Sequence, residues 1–108
     1  MPGLLKGAVL DEIVARLKHA YQPDRIYLFG SRARGDQGPD SDFDLLVVVS
    51  DDATGDRRGS RLAYQVLRGT GVAADILVWS RRYFESRRHL RSSLSAAVES
   101  EGRLLYAA

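Results

Sequence analysis

The amino-acid sequence predicts an α+β fold with α/β-type layering, in which a small mixed β-sheet of three to four strands packs against helices. Short apolar runs rich in β-branched residues alternate with segments whose apolar residues recur every three or four positions. Glycine, proline and aspartate separate the two kinds of segment. The chain has 108 residues, the size of one domain, and we expect residues 1–108 to form a single domain.

The first element is an amphipathic helix over residues 4–20, which Pro23 and Asp24 end. Its apolar residues recur at every fourth position: Leu5, Val9, Ile13 and Leu17. Residues 25–29 follow as a strand. Ser31 can then cap a short helix through Ala33 and Arg34, and residues 35–41 are predicted to form a loop.

Two more strands and an edge strand are predicted further along the chain. Residues 43–49 are the most apolar run, which indicates a central strand buried on both faces. Residues 72–79 are predicted to form a third strand, and residues 103–106 a short edge strand.

Helical segments separate these strands. Residues 57–68 are predicted to form a second amphipathic helix, which Gly69 ends. Its inward-facing residues are predicted to be Leu62 and Val66, with Ala63 and Leu67 as further candidates for the same face. Ser80 can cap a following helix, and a last helix is expected over residues 92–101. The predicted order is αβ(α)βαβααβ.

Composition limits the classes of protein to which the chain can belong. The chain lacks cysteine, which excludes disulfides and thiolate metal sites and fits a cytoplasmic location. Its longest apolar run, residues 45–49, is too short to span a bilayer, so no membrane partner is expected. The net charge of +2 is too small to indicate nucleic acid as a direct partner.

Asp42 and Asp44 are candidate metal ligands at the start of the central strand. Side chains two positions apart on a strand project from the same face, so both carboxylates should lie side by side. A divalent cation such as Mg²⁺ offsets their repulsion with hard oxygen ligands. The alternative is that Asp42 is a turn residue and Asp44 a solvated edge residue. The apolar surroundings of Asp44 weigh against that alternative.

Asp75 is a further carboxylate inside an apolar run, and it needs a partner if its strand is buried. If this strand lies beside the strand of Asp44, the three carboxylates can meet on one surface; alone, Asp75 fits an edge strand equally well.

The turn Gly30-Ser31 is a candidate phosphate site, because glycine lets the backbone approach a ligand and the following amides attract anions. Arg32 or Arg34 could add positive charge, although an ordinary turn with solvated arginines would have the same sequence.

The spacing of these motifs resembles a known family. Gly-Ser, ten intervening residues and Asp-x-Asp are similar to the signature of the nucleotidyltransferase superfamily that includes DNA polymerase β. The longer string GSRARGDQGPDSDFDLLVVV most resembles the minimal nucleotidyltransferases, or MNT domains, which are often encoded beside HEPN-domain proteins. The element order and Asp75 extend the resemblance over nearly the whole chain, and the resemblance implies the nucleotidyltransferase fold.

The resemblance also implies residue roles. Gly30 and Ser31 match the triphosphate-binding turn of the family, and Arg32 and Arg34 match positions that are commonly basic. Three carboxylates match the family's metal ligands and catalytic residues: Asp42, Asp44 and Asp75. The implied cofactor is Mg²⁺, at two sites, with ATP as co-substrate.

The function implied by the resemblance is transfer of AMP from ATP to a hydroxyl acceptor. Small stand-alone relatives are antitoxins that modify a tyrosine of a cognate HEPN ribonuclease toxin, so a hetero-oligomer with such a toxin is expected. One alternative is a catalytically silent antitoxin or scaffold that neutralises its partner by binding. Others are nucleotidyl transfer to a small molecule and an RNA-binding protein, which would need a clearer basic and aromatic surface.

Overall fold

The computed structural model describes residues 2–30, 43–87, 97–98, 100 and 102–108, with the side chains of the first helix from residue 9 onward. The described chain contains both helices and strands. In order, the elements are α1 (Pro2–Tyr21), β1 (Arg25–Phe29), β2 (Phe43–Val49), a 3₁₀ turn (Gly55–Arg58), α2 (Arg61–Val66), β3 (Ala74–Ser80), α3 (Arg81–Arg87) and β4 (Arg103–Ala107).

The four strands form one mixed sheet in the order β3-β2-β1-β4. Strand β1 is antiparallel to both of its neighbours, β2 and β4, whereas β2 and β3 are parallel. Helix α2 lies in the connection between the two parallel strands, as parallel pairing requires a crossover. The predicted α+β class and the mixed sheet are therefore confirmed, and β1 and β2 have the predicted bounds.

Strand β2 is the centre of the sheet and is buried on both faces, as predicted. Alternate side chains of a strand point to opposite faces, so β2 contributes to two separate clusters. On one face its side chains pack with Ile13 and Leu17 of α1, both fully buried. On the other face, Leu46 and Val48 pack with Phe84 of α3.

The predicted helix over residues 57–68 is wrong in its extent. The chain instead forms the 3₁₀ turn and the shorter α2, because Gly59 between them is extended, with φ −132° and ψ 169°. Tyr21 holds this break in place: its hydroxyl donates to the Gly59 carbonyl at 2.6 Å and accepts the Ala63 N–H at 2.8 Å. The amphipathic pattern continues across the break, so periodicity alone could not reveal it.

Strand β3 lies at an edge of the sheet, and Asp75 is exposed there. A buried strand would have required a partner for the Asp75 carboxylate, and this requirement does not apply to an exposed residue on an edge strand. The predicted cap of α3 is confirmed, since Ser80 Oγ accepts the Tyr83 N–H at 3.1 Å. Strand β4 confirms the predicted edge strand.

Some predicted elements lie outside the described residues: the short helix near Ala33, the loop over 35–41, and all of the helix over 92–101 except three helical residues, Ala97, Val98 and Ser100. None of the described helices is long and apolar enough to cross a membrane.

Candidate active site

The candidate site lies at the end of the sheet where β1 finishes and both β2 and β3 begin. Phe29 pairs with Asp44 across the antiparallel β1–β2 ladder, and Asp44 pairs with Asp75 across the parallel β2–β3 ladder. Directly paired residues project from the same face of a sheet, and neighbouring strands are about 4.8 Å apart. Two predicted carboxylates, distant in sequence, are thus neighbours in one row.

Gly30 directly follows the last residue of β1 and lies against Asp44. Its φ is +76°, a left-handed conformation that side chains other than glycine adopt at a cost. A Cβ placed on Gly30 would lie 3.2 Å from Asp44 Cγ and closer still to Asp44 Oδ2. Glycine is therefore needed both for the backbone conformation and for the close approach of the Asp44 carboxylate.

The two carboxylates differ in their exposure to solvent. Asp44 is half-buried beside Phe29, whereas Asp75 is exposed on the edge strand. Like charges on paired residues of neighbouring strands repel one another. Carboxylate oxygens are also the ligands that Mg²⁺ prefers, so the donor set fits a hard divalent cation. Within the described ranges no cluster of three or more metal-ligating side chains occurs, and the third predicted ligand, Asp42, lies outside them.

Four predicted site residues lie outside the described part of the chain: Ser31, Arg32, Arg34 and Asp42. In the sequence, Ser31 follows Gly30 directly and Asp42 directly precedes Phe43. Their roles in binding phosphate and metal stay predictions.

Tyr64 is a residue near the site that the sequence did not indicate. Its hydroxyl oxygen accepts the backbone N–H of Ile76 at 3.2 Å, one residue beyond Asp75. The tyrosine is 48% exposed and is not among the inward-facing residues that the amphipathic pattern predicted, so the pattern held no signal for this contact. Because β3 is an edge strand, this bond satisfies an amide that points away from β2.

Comparison with known proteins agrees with this geometry. Residues 10–104 match the model of the nucleotidyltransferase domain family. The chain belongs to that family. It is also 36% identical over 101 residues to MJ0604 of Methanocaldococcus jannaschii, which is named as a candidate protein adenylyltransferase, and the match covers 90% of this chain and 94% of the relative. The protein is therefore a nucleotidyltransferase.

Solved structures show the same fold at lower sequence identity. A candidate nucleotidyltransferase from Sulfolobus solfataricus has a TM-score of 0.61 at 24% identity, covering 93% of this chain and 78% of that one. A toxin–antitoxin structure with AMP-PNP has a TM-score of 0.57 at 24% identity, with coverages of 90% and 73%. A mutant of the toxin–antitoxin MntA-HpeT has a TM-score of 0.58 at 22% identity, with coverages of 91% and 72%.

Proposed function

We propose that the protein transfers AMP from ATP to a hydroxyl group of a partner protein. The observation that carries the proposal is the row formed by Asp44 and Asp75, with Gly30 against the Asp44 carboxylate. This end of the sheet combines the glycine turn at Gly30 with paired carboxylates, whose oxygens are the ligands that a triphosphate-bound Mg²⁺ prefers. The relative named as a candidate protein adenylyltransferase supports AMP as the transferred group.

The residues divide into two groups by role. Gly30 and Ser31 hold the triphosphate, with positive charge from Arg32 or Arg34. The carboxylates that hold Mg²⁺, at two sites, are Asp42, Asp44 and Asp75. When bound, Mg²⁺ would supply the charge neutralisation that the triphosphate and the leaving pyrophosphate require.

The reaction is an in-line substitution at the α-phosphorus of ATP. The acceptor oxygen forms a new P–O bond while the bond between the α-phosphorus and pyrophosphate breaks, which yields the AMP ester of the acceptor and pyrophosphate. Asp75 is exposed at the edge of the sheet, so an acceptor hydroxyl can reach it and pass its proton to this carboxylate. Catalysis is then mainly positioning and charge neutralisation.

The acceptor that we propose is a tyrosine of a cognate HEPN ribonuclease toxin, so that the protein acts as a cytoplasmic antitoxin within a hetero-oligomer. Its fold is that of proteins solved as toxin–antitoxin structures, one of them with AMP-PNP, a nucleotide of the ATP class. This likeness supports a toxin partner, and the HEPN identity comes from the resemblance of the Gly-Ser and Asp-x-Asp motifs.

The test uses the protein encoded by the adjacent reading frame as acceptor, with Mg²⁺ and ATP labelled at either the α- or the γ-phosphate. We expect label from the α-phosphate alone to appear on the acceptor. Asp44→Asn and Asp75→Asn should each abolish labelling. Asp52→Asn, an exposed carboxylate beyond the opposite end of β2, is the matched control and should label normally.

Two results would contradict the proposal. Label from the γ-phosphate would indicate phosphoryl transfer instead. A doubly substituted Asp44→Asn/Asp75→Asn protein that still protects cells from its toxic neighbour would indicate a silent antitoxin that acts by binding alone.

A further inference from the structure

A stripe of large side chains leads away from the candidate site along the outer strand. Because side chains alternate on a strand, Asp75, Leu77 and Trp79 share one face of β3. Leu77 is 37% exposed, and Tyr83 of α3, which is 42% exposed, continues the row beside Trp79. We call these residues, with Arg87, the docking stripe.

The far end of the docking stripe is aromatic and basic. The Trp79 and Tyr83 rings meet edge to face, with centroids 4.8 Å apart and planes at 78°. The guanidinium of Arg87 lies 4.4 Å from the centre of the Tyr83 ring. Helix α3 contains three arginines and one glutamate, and Arg81 pairs with Glu85 at 3.1 Å. By formal count the helix therefore has more positive than negative charge, and the Asp51 carboxylate, which accepts the Arg82 N–H at the start of α3, offsets part of it.

We infer that the docking stripe binds an extended segment of the acceptor protein, with an apolar side chain on Leu77 and acidic side chains toward α3. This inference rests on the proposed function. From Asp75 to Trp79 the strand advances about 13 Å, a length that four residues of an extended segment cover. Such a segment, anchored on Leu77 and the arginines, would hold its hydroxyl residue beside Asp75.

The composition of the stripe favours a polypeptide over nucleic acid. One face of the Tyr83 ring is covered by Arg87, so that face is not open for stacking on a base. The centre of the stripe is the aliphatic side chain of Leu77, which suits an apolar residue, and the net charge of the chain is only +2.

The bound segment contacts side chains and does not extend the sheet at this point. Pairing with the outer edge of β3 would need the Ile76 N–H, which already donates to Tyr64 Oη. On the face of β3, Leu77 is exposed and Trp79 is half-buried against Tyr83, whereas Tyr64 occupies this part of the strand's edge.

The first test compares exposed leucines at opposite edges of the sheet. Leu77→Arg should raise the KM for the adjacent-frame protein at least tenfold and leave kcat at saturating acceptor within about twofold. Leu104→Arg on β4, where the leucine is 54% exposed, is the matched control and should leave both constants unchanged. Equal constants for the two variants would overturn the inference.

A second pair of variants tests charge and avoids dependence on one apolar substitution. Arg82 directly precedes Tyr83 of the docking stripe on α3 and is exposed, and its bond to Asp51 uses the backbone N–H, so its side chain can be changed without loss of that bond. Arg82→Glu should weaken acceptor binding at least threefold at low salt, whereas Arg103→Glu on β4 should not. Thermal unfolding checks that the four variants are folded, and each should have an unfolding temperature near that of the wild type.

Complex formation without ATP separates this inference from the proposed chemistry. If the wild type transfers no label but binds the acceptor, and Leu77→Arg alone loses binding, the stripe stands and AMP transfer fails. If the wild type transfers label and Leu77→Arg binds normally, the stripe is overturned and the chemistry stands. The inference would also be overturned if Leu77→Arg left acceptor binding unchanged and instead lost only single-stranded RNA binding or only self-association.

Discussion

The choice of residue at position 30, directly after β1, is constrained by its backbone conformation and by a side chain at the start of β2. The positive φ of 76° at Gly30 and the nearby Asp44 carboxylate both exclude a side chain. Gly55 offers a natural comparison, because its φ of 61° is also positive but no atom lies within 4 Å of the position of an added Cβ.

Gly30→Ala should therefore destabilise the protein more than Gly55→Ala does. The left-handed backbone costs about 1–2 kcal/mol in either variant, and only Gly30→Ala must also displace the Asp44 carboxylate. Urea unfolding measures both changes, and AMP transfer should be lost only in Gly30→Ala. Equal losses of stability would show that the Asp44 carboxylate moves aside freely.

Asp75 and Asp44 are like charges on directly paired residues, an arrangement that we expect to lower the stability of the metal-free protein. Because Asp75 is paired with Asp44, Asp75→Asn should raise the free energy of unfolding in metal-free buffer by a few tenths of a kcal/mol while abolishing AMP transfer. Added Mg²⁺ should stabilise the wild type more than the variant. The experiment is thermal unfolding with EDTA or Mg²⁺, with Asp52→Asn as the control. A variant that is less stable than the wild type in EDTA would contradict the repulsion.

At the scale of elements, Tyr21 joins the end of α1 to the segment before α2. Its hydroxyl bonds to Gly59 and Ala63, and the Arg57 side chain donates to the Tyr21 carbonyl at 3.1 Å. Burial raises the pKa of Tyr21, an effect that the Ala63 N–H opposes. The neutral hydroxyl is thus the form that the fold accommodates.

Tyr21→Phe should lower the free energy of unfolding by about 1–3 kcal/mol near neutral pH, because the Gly59 carbonyl and Ala63 N–H lose their partner. A raised pKa in the folded state gives stability that is present below the unfolded pKa of about 10 and lost as pH rises through the folded pKa. The difference between wild type and variant should therefore shrink above about pH 10. Urea unfolding across this range measures it, with Tyr83→Phe as control. A difference independent of pH would contradict the role of burial.

At the scale of the whole molecule, the sheet is covered unequally on its two faces. Helices α1 and α2 cover one face with the larger cluster, whereas five fully or nearly buried residues form the described core of the other: Tyr27, Leu46, Val48, Phe84 and Val98. Phe84 is 1% exposed, and its ring lies 5.5 Å from that of Tyr27. The face that holds Asp44 and Asp75 therefore depends on a small core.

Phe84→Ala should cost about 3–5 kcal/mol, because it leaves a cavity in this small cluster. Small domains are stable by about 5–15 kcal/mol, so the variant should unfold at a much lower urea concentration. Tyr83→Ala, which truncates the exposed neighbour, should change stability by less than about 1 kcal/mol. Similar midpoints for the two variants would show that α3 contributes little to the fold.

The parts of this protein that the sequence by itself determined are those set by neighbouring residues. The β-branched and aromatic run of residues 25–29 and the valine-rich run of residues 43–49 specified β1 and β2 to the residue, and Ser80 specified the start of α3. These signals are local, because strand propensity and capping act over a few positions. The spacing of Gly-Ser and Asp-x-Asp also sufficed to indicate the family.

Only the tertiary structure decided the contacts between segments distant in the chain. The extended Gly59 is held by a hydroxyl from α1, and the Asp44 carboxylate fills the space beside Gly30. The register that pairs Asp44 with Asp75 depends on how β2 and β3 pack, because a shift of one residue would move Asp75 to the opposite face. The sequence pattern contains the carboxylates but does not contain this register. The register is selected by packing against both faces of the sheet.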